Sequence, residues 1–371
     1  MKFSVDTKAF LAAMGRIAPV IPNNPMPEVL ANCRVDIQDK VLTITGTDFE
    51  KTASTIVKVD ADFNGSFIVD HRTFTQIVKN VLSPQLKVEL NEKSISIELE
   101  KSKYKLPIGE LDAYPTIEYD QPKYSLPVDS EAFFEALIEA KRFTNNDDLR
   151  QFYNVCIKAT HEGIKLISTD AFSLYRNHLH VEDEDAEYEL LLPNRCVNYF
   201  ETVGFNGEAV KLGATDSFLV VEDDLTKVYM RLTDAKFPAV EGVIPQESQF
   251  QSFFTCDRDT LQRAITRLGV VYDGTATKMV RFDFSKDMAI VSSDNDSFDR
   301  HGKEYVPGQF SGNDIIIGFN AKYLLRCLQC ADYDDVKLNF ITYNRPLVIS
   351  RESSNEQAKT ILIMPSMIND K

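Results

Sequence analysis

The sequence is poor in the residue types from which many functional sites are built. Tryptophan is absent, and histidine and cysteine are few and scattered through 371 residues. The histidines are His71, His161, His178, His180 and His301, and the cysteines are Cys33, Cys156, Cys196, Cys256, Cys327 and Cys330. Dispersed cysteines in a long chain are typical of reduced, buried thiols rather than of a disulfide framework. We therefore expect free thiols.

Long apolar runs and known catalytic motifs are also missing. No stretch approaches the roughly 18 apolar residues of a membrane span, and the opening MKFSVDTKAFLAAM has no secretory cleavage pattern. There is no phosphate-binding loop, nucleophile elbow or HExxH motif. We expect a soluble, cytoplasmic protein that is not an enzyme and needs neither a cofactor nor a metal.

Two short patterns leave a metal site open as an alternative. His178 and His180 could share a strand face, and Cys327 and Cys330 could share a helix face. No further ligands accompany either pair at a suitable spacing, so surface histidines and packed cysteines are favoured. The acidic run at 181–189 is favoured as a solvated segment over a weak cation site.

Acidic residues outnumber basic ones, 56 to 41, so the formal net charge is −15. Phosphate binding needs local positive charge, so the composition argues against a nucleic-acid partner unless cations are concentrated on one surface.

A unit that recurs three times sets the architecture. Each copy opens with a short strand, an aspartate and an amphipathic helix, as in KFSVDTKAFLAAMGRI, YSLPVDSEAFFEALIEAKRF and SFFTCDRDTLQRAITRL. The aspartates Asp6, Asp129 and Asp257 are predicted helix N-caps. Further alternating strands and a second helix follow in each copy. The sequence predicts an α+β fold with domains at 1–123, 124–250 and 251–371.

An acidic turn recurs within the copies. Asp48, Asp170 and Asp294 each follow an alternating strand, about a third of the chain apart. Each falls in a different predicted domain, so we favour turn-forming residues over a catalytic triad.

The whole chain resembles the beta subunit of bacterial DNA polymerase III, the sliding clamp family. The resemblance rests on MKFSVD, LTITGTDFE, DHR, the YP of DAYPTI, STD, RLTDAKFP, GFNAKYLL and ILIMPSM, in that order. It implies a head-to-tail homodimer that closes into a six-domain ring around duplex DNA, without sequence readout and without a membrane. It also implies partners: the replicative polymerase catalytic subunit, the clamp loader, and other polymerases and repair proteins with clamp-binding peptides. The alternative is a three-repeat protein-binding scaffold that does not encircle DNA.

The predicted helices carry a net positive charge in this acidic chain, although the helix at 129–143 is an acidic exception. Without the resemblance, the cations on these helices would be interpreted as an ordinary solvated face. With it, they are candidates for the DNA-facing surface. These are Lys8, Arg16, Arg72, Lys79, Lys141, Arg142, Arg195, Arg263, Arg267, Lys322 and Arg326.

The resemblance also implies an apolar cleft for partner peptides. Its residues are Tyr153, Thr169, Leu174, Pro238, Val243, Asn320, Tyr323, Leu362, Met364 and Pro365. The chain departs from the family pattern after Asp170, where Ala171, Phe172 and Ser173 replace the usual glycine, variable residue and arginine. An altered peptide preference is expected. The chain also runs past the usual family end with Asn369–Lys371.

The dimer seam implied by the resemblance pairs a predicted edge strand, 98–106, with the partner subunit. Lys103, Tyr104 and Leu106 would meet Val270 and Val271 of the other copy. Asp294, Asp296 and Asp299 could face the strand's lysines, or could be ordinary solvated charges.

Overall fold

The structure is a computed structural model that describes residues 1–99, 102–117, 119–145, 152–181, 187–205, 207–351 and 359–368. The chain forms two compact units. The first comprises Met1–Glu135 with Leu192–Asp234, and the second comprises Ala136–Leu191 with Ala235–Lys371.

The helices and strands of the described residues follow in chain order. The helices are α1 (Thr7–Ile17), α2 (His71–Lys79), α3 (Ser130–Arg142), α4 (Asn194–Thr202), α5 (Arg258–Arg267), α6 (Gly269–Tyr272) and α7 (Ala321–Gln329). The strands are β1 (Lys2–Asp6), β2 (Asn32–Gln38), β3 (Val41–Thr47), β4 (Lys51–Ala61), β5 (Gly65–Asp70), β6 (Gln85–Asn91), β7 (Ser94–Leu99), β8 (Ser102–Pro107), β9 (Ser125–Asp129), β10 (Asn154–Thr160), β11 (Gly163–Thr169), β12 (Ser173–Leu179), β13 (Tyr188–Pro193), β14 (Ala209–Ala214), β15 (Phe218–Glu222), β16 (Thr226–Arg231), β17 (Ser252–Asp257), β18 (Met279–Ser285), β19 (Met288–Asn295), β20 (Arg300–Pro307), β21 (Gln309–Gly312), β22 (Ile316–Asn320), β23 (Asp335–Phe340), β24 (Leu347–Arg351) and β25 (Lys359–Ile363).

The order of these elements repeats three times. A copy consists of a strand, a helix, four strands, a second helix and three strands, and the third copy adds only the short α6 and β21. The predicted α+β fold of three similar copies is therefore confirmed. The domain boundaries near 123 and 250 stay a prediction.

The aspartates that open the copies cap their helices. The carboxylates of Asp6, Asp129 and Asp257 accept hydrogen bonds from the backbone N–H of Ala9, Ala132 and Thr260, at 2.7 to 2.8 Å. Each bond satisfies an amide that a helix leaves unpaired at its N-terminus. The predicted caps are confirmed.

The first unit is built on one antiparallel sheet of 12 strands, whose main path runs β8-β7-β6-β1-β4-β16-β15-β14-β9. Within it β4 pairs with β16, so strands from the first and second copies share a sheet. The predicted edge strand 98–106 has the wrong bounds. Leu99 of β7 pairs with Ser102 of β8, so the segment belongs to two strands, and the edge strand is β8.

The second unit has a nine-stranded sheet, β13-β10-β11-β12-β25-β24-β23-β17-β21, and a four-stranded sheet, β20-β19-β18-β22. In the larger sheet β12 pairs with β25, which joins the second copy to the third. That pairing sets Leu174 opposite Leu362, and both side chains are buried.

Alternation of apolar and polar residues explains why one face of these sheets is buried. In β2, for example, Cys33, Val35 and Ile37 are buried while the residues between them are half-exposed. The helices pack their apolar stripes on the sheets and on each other, as Phe10 of α1 does against Phe74 of α2 with ring centres 5.1 Å apart. Burial of each such side chain contributes about 2 kcal/mol.

Candidate functional site

The turn that follows Thr169 is fixed by its own side chains. The carboxylate Oδ1 of Asp170 accepts from the backbone N–H of Phe172 at 3.0 Å and of Ser173 at 2.8 Å. The Thr169 hydroxyl donates to the Ser173 carbonyl at 2.7 Å and accepts from the Ala171 N–H at 3.1 Å. Ala171 takes a left-handed φ of 71°, a conformation that costs a side-chain-bearing residue energy. The turn directs Phe172 outward, with 54% of its surface exposed.

The first copy makes the same turn and the third does not. Asp48 accepts from the N–H groups of Glu50 and Lys51, and Phe49 has a φ of 69°. In the third copy Asn295 stays extended at φ −137° and Asp294 binds His301 instead. The turn-forming interpretation is confirmed for Asp48 and Asp170 and is wrong for Asp294.

Buried apolar side chains lie directly beneath this turn. Leu174 and Leu362 belong to one cluster with Phe237 and Val240, and Met364 packs against it. The other members are Cys156, Ile167, Leu191 and Val348, with Ile244 and Phe250 at its margin. Two of the predicted cleft residues, Leu174 and Leu362, therefore lie in one buried apolar cluster.

The remaining predicted cleft residues are less buried. Thr169 is buried, Val243 is 45% exposed, and the others are half-buried. The half-buried set is Tyr153, Pro238, Asn320, Tyr323, Met364 and Pro365. Asn320 also has a structural task, because its Oδ1 caps α7 by accepting from Lys322 N–H at 3.0 Å, and its Nδ2 donates to the Thr277 carbonyl at 2.8 Å.

A stack of aromatic rings and a guanidinium, here called the aromatic wall, includes the predicted cleft residue Tyr323. The ring of Phe172 lies parallel to that of Tyr323, with centres 5.3 Å apart and planes 11° apart. The guanidinium of Arg326 lies 5.0 Å from the centre of the Tyr323 ring and 4.9 Å from that of Phe143. Nη2 of Arg326 donates to Asp170 Oδ2 at 2.5 Å and to the Ser173 hydroxyl. Sequence reasoning did not find this stack, and an aromatic residue in an exposed turn was its only signal.

The chain after β25 is tied down beside the same wall. Met364 N–H donates to the Phe172 carbonyl at 2.8 Å, and Ser366 N–H donates to the Gly318 carbonyl at 2.7 Å. A Cβ on Gly318 would lie 3.0 Å from Ile368 Cγ1 and 3.1 Å from the Ser366 carbonyl oxygen, so glycine permits this close approach. Asn369–Lys371 lie outside the described residues.

The predicted DNA-facing cations differ in exposure and in whether an acid pairs with them. Lys8, Arg72, Lys79 and Lys322 are exposed and form no ion pair with any described residue. Others are already paired with acids: Arg16 with Asp223 at 3.3 Å, Arg195 with Glu50 at 2.6 Å, Arg263 with Asp259 at 3.7 Å, Arg267 with Glu304 at 2.7 Å, and Arg326 with Asp170. Lys141 is half-buried, and exposed Arg142 approaches the Cys330 sulfur at 3.9 Å.

The acidic exception among the helices is less acidic on its surface than its sequence indicates. Asp129 is the exposed N-cap of α3, and Glu139 is buried. The Glu139 carboxylate binds Lys359 Nζ at 2.9 Å and accepts from the Tyr175 hydroxyl at 2.6 Å. Of the glutamates on α3, Glu131 and Glu135 are exposed.

The predicted seam residues lie on two sheet edges and one short helix. Tyr104 is 44% exposed and Leu106 half-exposed on the edge strand β8, and Lys103 is exposed there with Glu98 3.1 Å away. Val270 on α6 is 72% exposed, while Val271 is buried. On the second edge, β20, His301 contacts Asp294 at 2.9 Å and Asp299 at 3.5 Å, and these carboxylates raise the pKa of His301. Lys101, one of the lysines of the predicted edge strand, lies outside the described residues.

The cysteines and histidines give no sign of a metal centre. All six cysteines are free and buried, and burial raises the pKa of Cys330 to about 11. Packing of Cys327 and Cys330 is therefore confirmed. No cluster of three or more potential ligands occurs among the described residues. Within that part of the chain no helix is long and apolar enough to cross a membrane. Residues 182–186 of the acidic run lie outside it.

Comparisons with known proteins agree along the length of the chain. A family model for the DNA polymerase III beta subunit N-terminal domain matches residues 1–118, and one for its C-terminal domain matches residues 241–366. The beta sliding clamp of Lactococcus lactis is 22% identical and aligns over 100% of both chains. The Haemophilus influenzae clamp is 25% identical over 91% of this chain and 92% of its own length.

Solved structures share the fold. The beta subunit of Streptococcus pyogenes DNA polymerase superposes with a TM-score of 0.93 at 17% identity, covering 99% of this chain and 100% of that one. A Pseudomonas aeruginosa sliding clamp solved bound to griselimycin superposes at 0.91 with 18% identity, over 99% and 100% of the two chains. The chain therefore belongs to the beta sliding clamp family, the non-catalytic processivity subunits of bacterial DNA polymerase III.

Proposed function

We propose that two copies of this chain close head to tail into a ring that encircles duplex DNA and tethers the replicative polymerase. The observation that carries the proposal is the three-copy fold, matched over its full length to clamps. It is supported by exposed helix cations that pair with no described acid, in a chain with net charge −15. A ring holds DNA by topology, so weak phosphate attraction without base contacts suits it better than tight binding.

The cations we assign to the DNA-facing surface are led by Lys8, Arg72, Lys79 and Lys322, whose charges are not neutralised by described acids. Lys141, Arg142, Arg195, Arg263 and Arg267 complete the set. We leave out Arg16 and Arg326, because their side chains are only 14% and 18% exposed and are bound to buried carboxylates.

The dimer seam that we propose pairs the edge strand β8 with the edge strand β20 of a second copy. Unpaired edges leave backbone N–H and C=O groups open to another strand, and a closed ring removes them. The apolar contact would come chiefly from exposed Tyr104 and Val270, with Lys103 and Leu106 beside them. Val271, buried in its own domain, would support Val270 from below.

The cleft over Leu174 and Leu362 is the proposed docking site for peptides. An apolar floor with adaptable methionine and tyrosine side chains at its margin suits short segments from several proteins. We infer that these include the polymerase catalytic subunit, the clamp loader, other polymerases and repair proteins. We propose that the ring works in the cytoplasm, on the nucleoid. The proposed domains of each copy of the chain are 1–123, 124–250 and 251–371.

Sedimentation at micromolar concentration tests the ring against the protein-binding scaffold, which need not dimerise. We expect a dimer, and we expect Tyr104→Asp with Val270→Asp to give monomers because two exposed apolar side chains at the seam become charged. Leu82→Asp is the matched control, since Leu82 is fully exposed but lies on neither edge. A wild-type chain that sediments as a monomer would support the scaffold instead.

A further inference from the structure

The turn Ala171–Phe172–Ser173, where this chain departs from the clamp pattern, puts an aromatic ring at the wall of the cleft. Phe172 keeps 54% of its surface exposed while its ring lies parallel to Tyr323. The floor formed by Leu174 and Leu362 is adjacent, because Met364, which follows β25, is hydrogen-bonded to the Phe172 carbonyl.

The Phe172 side chain is held in place both by its own backbone hydrogen bonds and by its stacking partner Tyr323. Phe172 N–H donates to Asp170 at 3.0 Å, and its carbonyl accepts from Met364 at 2.8 Å, so the backbone has little freedom. Tyr323 is supported by the Arg326 guanidinium. A wall that is already ordered loses little conformational entropy when a ligand docks on it.

The two arginines that border the wall, Arg326 and Arg176, are both paired with acids. Arg326 is neutralised by Asp170 at 2.5 Å and further bonded to the Arg142 carbonyl at 3.0 Å. Arg176, on the neighbouring β12, faces Glu241 at 3.4 Å. An anionic or strongly polar side chain would lose its hydration here without gaining an ion pair.

We propose that Phe172 is a specificity-determining residue of the cleft, whose ring beside Tyr323 selects peptides that place a flat aromatic side chain at this wall. Stacking adds to simple burial, because aromatic pairs are favourable beyond their contact area. The preference over an aliphatic side chain is expected to be roughly two- to tenfold in Kd. This inference rests on the proposed peptide-binding function of the cleft.

The test uses two synthetic peptides from the clamp-binding segment of a bacterial polymerase, identical except for phenylalanine or leucine at the apolar anchor. Fluorescence anisotropy gives a Kd for each peptide on the full-length chain, and the ratio of the two values measures selectivity. We expect the wild type to prefer the phenylalanine peptide two- to tenfold. Phe172→Leu, which keeps an apolar side chain, should bring the ratio close to one.

Phe49→Leu is the matched control, because Phe49 is an exposed phenylalanine in the corresponding turn of the first copy. It should leave the ratio unchanged. An unaltered ratio in Phe172→Leu, a wild-type ratio of one, or tighter binding by Phe172→Ala would overturn the role of Phe172. Failure of the wild type to bind either peptide would instead overturn the cleft assignment itself.

Discussion

The Arg326 guanidinium binds the carboxylate of Asp170 at 2.5 Å and so joins α7 of the third copy to the turn before β12 of the second. Asp170 is only 7% exposed. The same carboxylate group organises the turn through its other oxygen, which accepts from Phe172 and Ser173 N–H. One aspartate thus shapes the turn and fixes the cation that lies over the Tyr323 ring.

Asp170→Asn should destabilise the chain strongly. It leaves the guanidinium of Arg326, which is 18% exposed, without its counter-charge, and breaking a buried pair in this way costs about 3 kcal/mol. Urea denaturation measures the free energy of unfolding. Asp259→Asn, which breaks surface pairs with Arg258 and Arg263, serves as control and should cost about 0.5 to 1 kcal/mol. Equal losses in the two variants would contradict this assignment.

Ala171→Gly should stabilise the chain by roughly 0.5 to 1 kcal/mol. Ala171 has a φ of 71°, where a Cβ is strained and glycine is not, and the relief exceeds the entropy that glycine adds to the unfolded chain. The same change at exposed Ala12 within α1 should destabilise by about 1 kcal/mol. Thermal denaturation of both variants checks the opposite signs, and a lower Tm for Ala171→Gly would refute the account of the turn.

Gly318→Ala should detach the segment after Pro365. The new Cβ would press on the Ser366 carbonyl oxygen at 3.1 Å, and overpacking of this kind costs about 1 to 3 kcal/mol. Hydrogen exchange should show faster loss of the Ser366 amide proton. Gly204→Ala is the control, because its Cβ meets nothing within 4 Å. Unchanged protection at Ser366 in Gly318→Ala would contradict the proposed close packing.

The pKa of His301 should lie above the usual value for histidine, and the pKa of His71 should lie below it. The hydrogen bond and charge of Asp294, with Asp299, raise the pKa of His301, whereas burial lowers the pKa of His71. His301 therefore adds stability at low pH that is lost as pH rises through its raised pKa. The contribution of His71 is present above its unfolded pKa and is lost as pH falls through its lowered one.

Histidine NMR titration measures both values. Asp294→Asn should bring the pKa of His301 back toward its ordinary value of about 6.5 and leave His71 unchanged. Asp314→Asn is a control on the same unit and should move neither. A His301 pKa that stays raised without Asp294 would show that this carboxylate is not the cause.

The parts of the fold that sequence predicted depend on local patterns. The N-caps Asp6, Asp129 and Asp257 and the turn-forming Asp48 and Asp170 act on amides within a few residues, so their role is visible in a short window. Because these patterns repeat in all three copies, they also predicted the order of the helices and strands.

The features that the sequence did not predict depend on partners far away in the chain, or on a strand boundary that an alternating pattern of residues obscured. Asp294 follows the same local pattern as Asp48, but its partner His301 on β20 changes its role. The boundary between β7 and β8 was missed because lysines alternate with other residues across it in the sequence. Arg326 and Asp170 are far apart in sequence, and no local pattern distinguishes this cation from the exposed Lys322.

Retention on circular DNA tests the central claim, encirclement, most directly. The chain is loaded onto nicked circular duplex by a bacterial clamp loader, passed through a gel-filtration column, and compared before and after the circle is cut once. We expect it to elute with the circle at moderate salt and to be lost on linearisation, because only a closed ring is released by a free end. A chain that never stays with the circle, or that stays equally well on linear DNA, would contradict the claim.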